Sequence, residues 1–208
     1  TGASWLPHIC RSNELPYGSL NAPRVYTPDD LAAGVVPEGP VAVFDYDNYY
    51  LGSAIAEHLA GQGLAVTYIT TAGAAAAWGF MTNEQPLVHQ SFAAKGIALR
   101  TLEVVTAFDG DELRLAQIFS GQDQRLPVRS LVITGYRAGG SALHEALAPD
   151  TKPGALHLTG DANAPGAIVH AIYQGHKTAR ELGVAQPMVR RDAPRRLLVI
   201  MPTWVGDV

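Results

Sequence analysis

Short apolar runs and helically spaced apolar positions alternate along the first two thirds of the chain. Val41-Ala42-Val43-Phe44-Asp45 is a compact apolar run closing on a polar turn, which predicts a buried strand. Residues 51–61 carry helical periodicity through Leu51, Ile55, His58 and Leu59, and Gly61 and Gly63 close that helix. Leu64 to Ile69 then reads as a second strand, rich in β-branched and aromatic residues. Together these residues predict a βαβ unit of the kind that builds doubly wound sheets. Upstream, Thr27-Pro28-Asp29-Asp30 is a helix start: a capping hydroxyl, a first-turn proline and two acids at the positive end of the helix dipole.

The pattern continues with a helix near Pro86–Lys95 stopped by Gly96 and a strand from Ile97 to Glu103. An antiparallel hairpin follows, Val104–Phe108 and Glu112–Phe119 around the turn Asp109-Gly110-Asp111. A last strand, Val128 to Thr134, ends in Thr134-Gly135. After residue 150 the spacing predicts a short strand over Ala155–Thr159, a long helix from about Pro165 to Leu182, and a terminal strand over Leu197–Met201.

Composition narrows the class. The 208 residues are 47% hydrophobic and 16% charged, enough apolar side chain for a sizeable core and incompatible with a disordered chain. No apolar run has the length of a membrane helix, so no membrane role is expected. A net charge of −4 argues against nucleic acid as a partner. The charge is uneven: residues 176–208 carry a net +3 and the rest −7, which reads as a solvated basic tail. Cys10 is the only cysteine, so an internal disulfide is excluded, a cytoplasmic location is expected, and four thiolates for an iron–sulfur cluster are lacking. The opening Thr1-Gly2-Ala3, without methionine, is expected to be the start of a piece of something longer.

A dinucleotide-binding βαβ turn needs G-x-G-x-x-G, which lets bare backbone approach the pyrophosphate at a helix N-terminus. Here the turn reads Asp45-Tyr46-Asp47-Asn48-Tyr49-Tyr50-Leu51-Gly52, and only Gly52 keeps a plausible register. Two carboxylates and bulky tyrosines are expected where the phosphates would lie, and a carboxylate repels phosphate by several kcal/mol at about 4 Å and moderate dielectric. The next strand ends in Thr70 and Thr71 instead of an acid for the ribose. The expected state is a nucleotide-binding fold without NAD(P). A metal held by Asp45 and Asp47 is the competing reading, with no histidine or second acidic pair nearby in sequence to support it.

Three segments carry a family resemblance: Val41–Ala65 (VAVFDYDNYYLGSAIAEHLAGQGLA), Leu131–Gly135 (LVITG) and Leu158–Leu182 (LTGDANAPGAIVHAIYQGHKTAREL). In order over residues 1–183, the chain resembles the C-terminal region of trimethylamine dehydrogenase and its dimethylamine and histamine dehydrogenase relatives, within the NADH:flavin oxidoreductase group. The resemblance implies a parent with an N-terminal barrel that carries FMN and a 4Fe–4S cluster, performs oxidative N-dealkylation and passes electrons to an electron-transferring flavoprotein. It implies, for this region, an FAD-like domain interrupted by a degenerate Rossmann-like NAD(P)-binding-type domain of three layers. The implied boundaries are 1–36 and 138–183 for the incomplete FAD/ADP-binding-like part, 37–137 for the NAD-like part and 184–208 for the tail.

By the same resemblance, Thr1-Gly2 matches the turn closing the FAD-like domain's first segment, and Thr159-Gly160-Asp161 matches its returning motif. Gly2, Gly160, Asp161 and Ala162 are therefore the expected cofactor-binding residues, with the following helix directed at a diphosphate. The barrel, the cluster cysteines and the glycine fingerprint of the FAD-like domain are missing from this chain. No cofactor is expected to bind tightly to it alone; ADP, or FAD, would need the missing segment. A shorter likeness, Arg196–Asp207 (RLLVIMPTWVGD) to the first strand of heptosyltransferase-type glycosyltransferases, is read as a terminal strand only.

The remaining residues give no chemistry. His170 and His176 lie six apart on one helix, the wrong spacing for a shared metal. Ser53, Ser130 and Ser141 lack a nucleophile-elbow setting. Arg137 beside Gly139-Gly140 reads as a solvated loop, and Trp5, Trp78 and Trp204 as packing anchors. The sequence thus predicts no catalytic and no metal-binding residue, and its expected partners are the parent's barrel and an electron-transferring flavoprotein. Two alternatives stand beside this: a stand-alone assembly subunit, and an active NAD(P)H-binding reductase domain.

Overall fold

The computed structural model describes residues 2–10, 16–152 and 154–182. The chain opens with strands β1 (Ala3–Leu6), β2 (His8–Cys10), β3 (Pro16–Ser19) and β4 (Val25–Tyr26), then helix α1 (Pro28–Ala32). Asp30 caps α1 by accepting from the Thr27 backbone N–H at 2.7 Å and its hydroxyl at 2.8 Å. The predicted βαβ unit follows as β5 (Val41–Asp45), α2 (Leu51–Gly61) and β6 (Val66–Thr70). Next come a 3-10 segment (Ala77–Thr82), α3 (Gln85–Lys95), β7 (Ala98–Thr101), β8 (Glu103–Phe108), β9 (Glu112–Gln117), β10 (Asp123–Pro127), β11 (Ser130–Thr134) and β12 (Tyr136–Gly139). The described part ends with α4 (Ala142–Leu147) and α5 (Ile168–Glu181).

Five strands form a parallel sheet in the order β4-β11-β5-β6-β7. The register of β5 decides its two faces. Val41 and Val43 point into a core shared with Ile55 and Leu59 of α2 and Phe92 of α3. Ala42 and Phe44 point the other way, into a core shared with Val105, Leu113 and Leu115 of the antiparallel sheet β8-β9-β10. Helices, parallel sheet and antiparallel sheet make the three layers expected of a Rossmann-like α/β domain.

Four expectations change. Leu102 takes a left-handed backbone at φ 57°, which breaks the single strand expected over 97–103 into β7 and β8 on different sheets. Residues 155–159 are not a strand, because among the described residues no strand lies beside them to complete a ladder. The long helix starts at Ile168, past Pro165 and Gly166. Arg137 lies on β12, paired antiparallel with β1, and not in a solvated loop. The predicted strand over 197–201, Trp204, Thr1 and the tail 184–208 lie outside the described residues.

Candidate functional site

The same period of two that directs Val41 and Val43 under α2 directs Asp45 there as well. Its side chain is fully buried, and its carboxylate accepts from the Tyr68 hydroxyl at 2.5 Å and from the Asn48 backbone N–H at 3.0 Å. A Cβ on Gly52 would overlap that carboxylate and come within 2.7 Å of the Asp45 Cβ. In a dinucleotide fold the last glycine of the fingerprint lets the helix approach the strand. Here the space it opens is filled by the carboxylate of this chain's own strand.

Asn48 completes the turn. Its backbone is left-handed at φ 58°, a conformation Asn tolerates. Its side-chain oxygen accepts from the Thr70 hydroxyl at 2.6 Å, and its amide donates to the Tyr46 carbonyl at 3.2 Å and to the Thr71 hydroxyl at 3.4 Å. Thr70 and Thr71 are thus the turn's internal partners. The segment after β6 closes over the same place: Trp78 donates its N–H to the Asn48 carbonyl, and Ala76 to the Tyr68 hydroxyl. Burial pushes the Asp45 carboxyl up to about 7, against the hydrogen bonds from Tyr68 and Asn48, which lower it. Burial and the adjacent Asp45 raise Tyr68 as well.

The residues of this turn do not share one location, which corrects the expectation that all its acids and tyrosines crowd the phosphate position. Tyr46 points to the opposite face of β5, where its ring covers Gly135 so closely that a Cβ there would collide with it. Its hydroxyl donates to the His8 carbonyl at 2.9 Å. Tyr49 and Tyr50 are exposed, edge to face at 5.6 Å, and Trp78, read as a packing anchor, is 55% exposed. Asp47 is half-buried; desolvation raises its carboxyl and the Arg137 guanidinium lowers it. Among the described residues no group of three or more metal-ligating side chains comes together.

The residues expected to hold a cofactor meet elsewhere. Gly2, Asp161 and Ala162 line one cavity of about 310 Å³ with Gly140 and Leu156–Thr159, and Gly160 beside them adopts φ 66°. The Gly140 N–H donates to the Gly2 carbonyl at 2.7 Å, and a Cβ on Gly139 would strike the Ala162 carbonyl. Asp161 is already engaged: it accepts from the Gly166 N–H at 3.3 Å and lies 3.8 Å from the Arg137 guanidinium. That guanidinium stacks over Trp5 at 5.2 Å. Sequence reasoning gave Arg137 no role, because its partners Trp5 and Asp161 lie far away along the chain in both directions.

No family model matches the chain. It is 27% identical over 224 residues to dimethylamine dehydrogenase of Hyphomicrobium sp. (strain x), covering 94% of this chain and 30% of that protein. The solved 6-hydroxypseudooxynicotine amine oxidase of Pseudomonas geniculata N1 matches with a TM-score of 0.78 at 28% identity, over 88% of this chain and 28% of its own. Histamine dehydrogenase of Rhizobium sp. 4-9 matches with a TM-score of 0.76 at 28% identity, over 97% and 32%. The chain therefore spans about a third of the length of the relatives it matches. Among the described residues no helix is long and apolar enough to cross a membrane. Over nearly its whole length the chain is similar, in sequence at 27–28% identity and in its Rossmann-like α/β fold, to the C-terminal part of trimethylamine dehydrogenase-like flavoproteins.

Proposed function

We infer that this chain is a non-catalytic, nucleotide-binding-like region of an FMN- and 4Fe–4S-dependent oxidoreductase that oxidises amines in a barrel outside this chain. The observation that carries this reading is the Asp45–Tyr68–Asn48–Thr70 network, which fills the turn where a pyridine dinucleotide needs bare backbone. The one cysteine, Cys10, is buried in the core beneath the antiparallel sheet, so cluster thiolates belong to the other part of the protein. Residues 37–137 carry the NAD-like part, whose parallel sheet β4 (Val25–Tyr26) joins; the rest of 1–36, with 138–183, contributes to an FAD/ADP-like part that needs a further segment.

Gly2, Gly160, Asp161 and Ala162 fit one side of an ADP site. They offer glycine backbone and a carboxylate able to accept from a ribose hydroxyl, while His144 and His157 are the lining side chains able to face a diphosphate. ADP bound there would serve as a structural ligand and supply no redox chemistry. The apolar face of α5 supports incompleteness: Ile168, Val169, Ile172 and Tyr173 are 56–80% exposed. The same face supports the second reading, an assembly subunit whose partner chain covers it. An electron-transferring flavoprotein is the proposed acceptor for the whole protein, and the cytoplasm its proposed location.

The test uses the natural polypeptide that contains this chain. It is expected to show flavin and iron–sulfur absorbance and to oxidise a methylated amine, with Asp45→Asn and Asp161→Asn each holding kcat within about twofold. A hundredfold loss of kcat in either variant, with the flavin still reduced by dithionite, would place chemistry in this region and overturn the reading. A polypeptide that starts at this chain and copurifies with a second protein would favour the assembly subunit.

A further inference from the structure

Between β6 and α3 the chain forms a strained strap across the β5–α2 turn. Its 3-10 part, Ala77–Thr82, lies between two left-handed residues that are not glycine, Ala76 at φ 46° and Asn83 at φ 59°. It carries Trp78, Phe80 and Met81, which are 55–72% exposed and anchor it little in the core. Two backbone N–H groups tie it to the turn and to β6. Trp78 donates to the Asn48 carbonyl at 3.0 Å, and Ala76 donates to the Tyr68 hydroxyl at 3.4 Å.

The second tie ends on a buried acid. Tyr68 accepts from Ala76 and donates its own hydrogen to the Asp45 carboxylate at 2.5 Å, so Ala76, Tyr68 and Asp45 form one directed chain. That direction fits an ionised Asp45, toward which the Asn48 N–H also points. Burial favours the other state, a neutral carboxyl with a hydrogen of its own. Once that hydrogen is given to the Tyr68 oxygen, the hydroxyl hydrogen must turn to the side where the Ala76 N–H already points. Two donors then face each other, and one loses its partner.

The neighbours of Asp45 are mostly neutral. In register with it, β11 places Thr134 and β6 places Thr70, and the first turn of α2 has no acid. Asp47 is the other charge that acts on it, and it favours protonation. Glu57 and Glu84 line the cavity beside Ala76 and Trp78 and so face the strap.

We propose that this chain is a proton-driven switch: a proton taken from solvent by Asp45 turns the Tyr68 hydroxyl, breaks its bond to Ala76 and releases the strap that presents Trp78, Phe80 and Met81. Release lets Ala76 and Asn83 leave their left-handed backbone, which assists opening. Linkage gives the sign. The closed strap bonds the ionised form, so closure strengthens as pH rises.

The test is amide hydrogen exchange of the 208-residue chain at pH 5.5, 7 and 8.5, each rate divided by its intrinsic rate at that pH. Protection of residues 76–82 is expected to rise about tenfold or more from pH 5.5 to 8.5. Asp45→Asn, which leaves Glu57 and Glu84 in place, should abolish the rise. So should Tyr68→Phe, which keeps the ring against Phe92. The β11 amides, which open only with the whole fold, should gain no protection over this range. Constant protection of 76–82 across pH would overturn the proposal, as would the full rise in either variant or an equal rise in β11.

Discussion

Asp45→Asn is expected to flatten the dependence of stability on pH. The folded chain holds the Asp45 carboxyl at about 7, raised from 3.8 by burial. Between those values the folded state keeps a proton that the unfolded state has released, so the unfolding free energy falls as pH rises. The stabilisation is fully present below about pH 4, is lost progressively as pH rises to about 7, and changes no further above that. A shift of this size corresponds to about 4 kcal/mol at full burial. Urea unfolding at half-unit steps from pH 4.5 to 8, run on both proteins, reads the difference directly. The gap between them should shift in favour of Asn by several kcal/mol across that range. Parallel curves would mean that Asp45 does not titrate there.

Gly52→Ala is the second large effect. The added methyl has no direction in which to move: it meets the Asp45 carboxylate and its Cβ, both held by β5 and by Tyr68. Overpacking of this kind costs typically 1–3 kcal/mol, and displacement of a hydrogen-bonded buried carboxylate adds to it. A loss of about 3 kcal/mol or more is expected in the unfolding free energy. Gly61→Ala, at the other end of the same helix with open space around it, is the control and should be neutral within about 0.5 kcal/mol. Equal behaviour of the two variants in a thermal melt would show that α2 does not press on Asp45.

The parallel sheet was readable because its strands announce themselves locally. Val41–Phe44 and Leu131–Ile133 are continuous apolar runs, and the helix between β5 and β6 has its own glycine stop. The period of two in β5 sends Asp45 and Tyr46 to opposite faces, which the expectation of one crowded turn leaves out. What the sequence hid depends on distant pairing. Strand β10, Asp123–Pro127, has alternating exposure and a proline at its end, and only its ladder with β9 defines it. The β1–β12 pair joins residues 3–6 to 136–139, and from it follow the places of Trp5 and Arg137. No local pattern signals that contact. Gly2, Asp161 and Ala162 were named only through resemblance to a family motif, and the structure brings those three to one cavity.

We infer that side chains of this chain take the place of a dinucleotide at the β5–α2 turn. Titration of the chain with NADH and with NADPH, followed by nicotinamide fluorescence and by calorimetry, tests it most directly. No saturable binding of either is expected up to 1 mM, at pH 6 and at pH 8. Micromolar binding that is lost on substitution of Asn48 or Thr70 would contradict it, and would make this chain an active reductase domain.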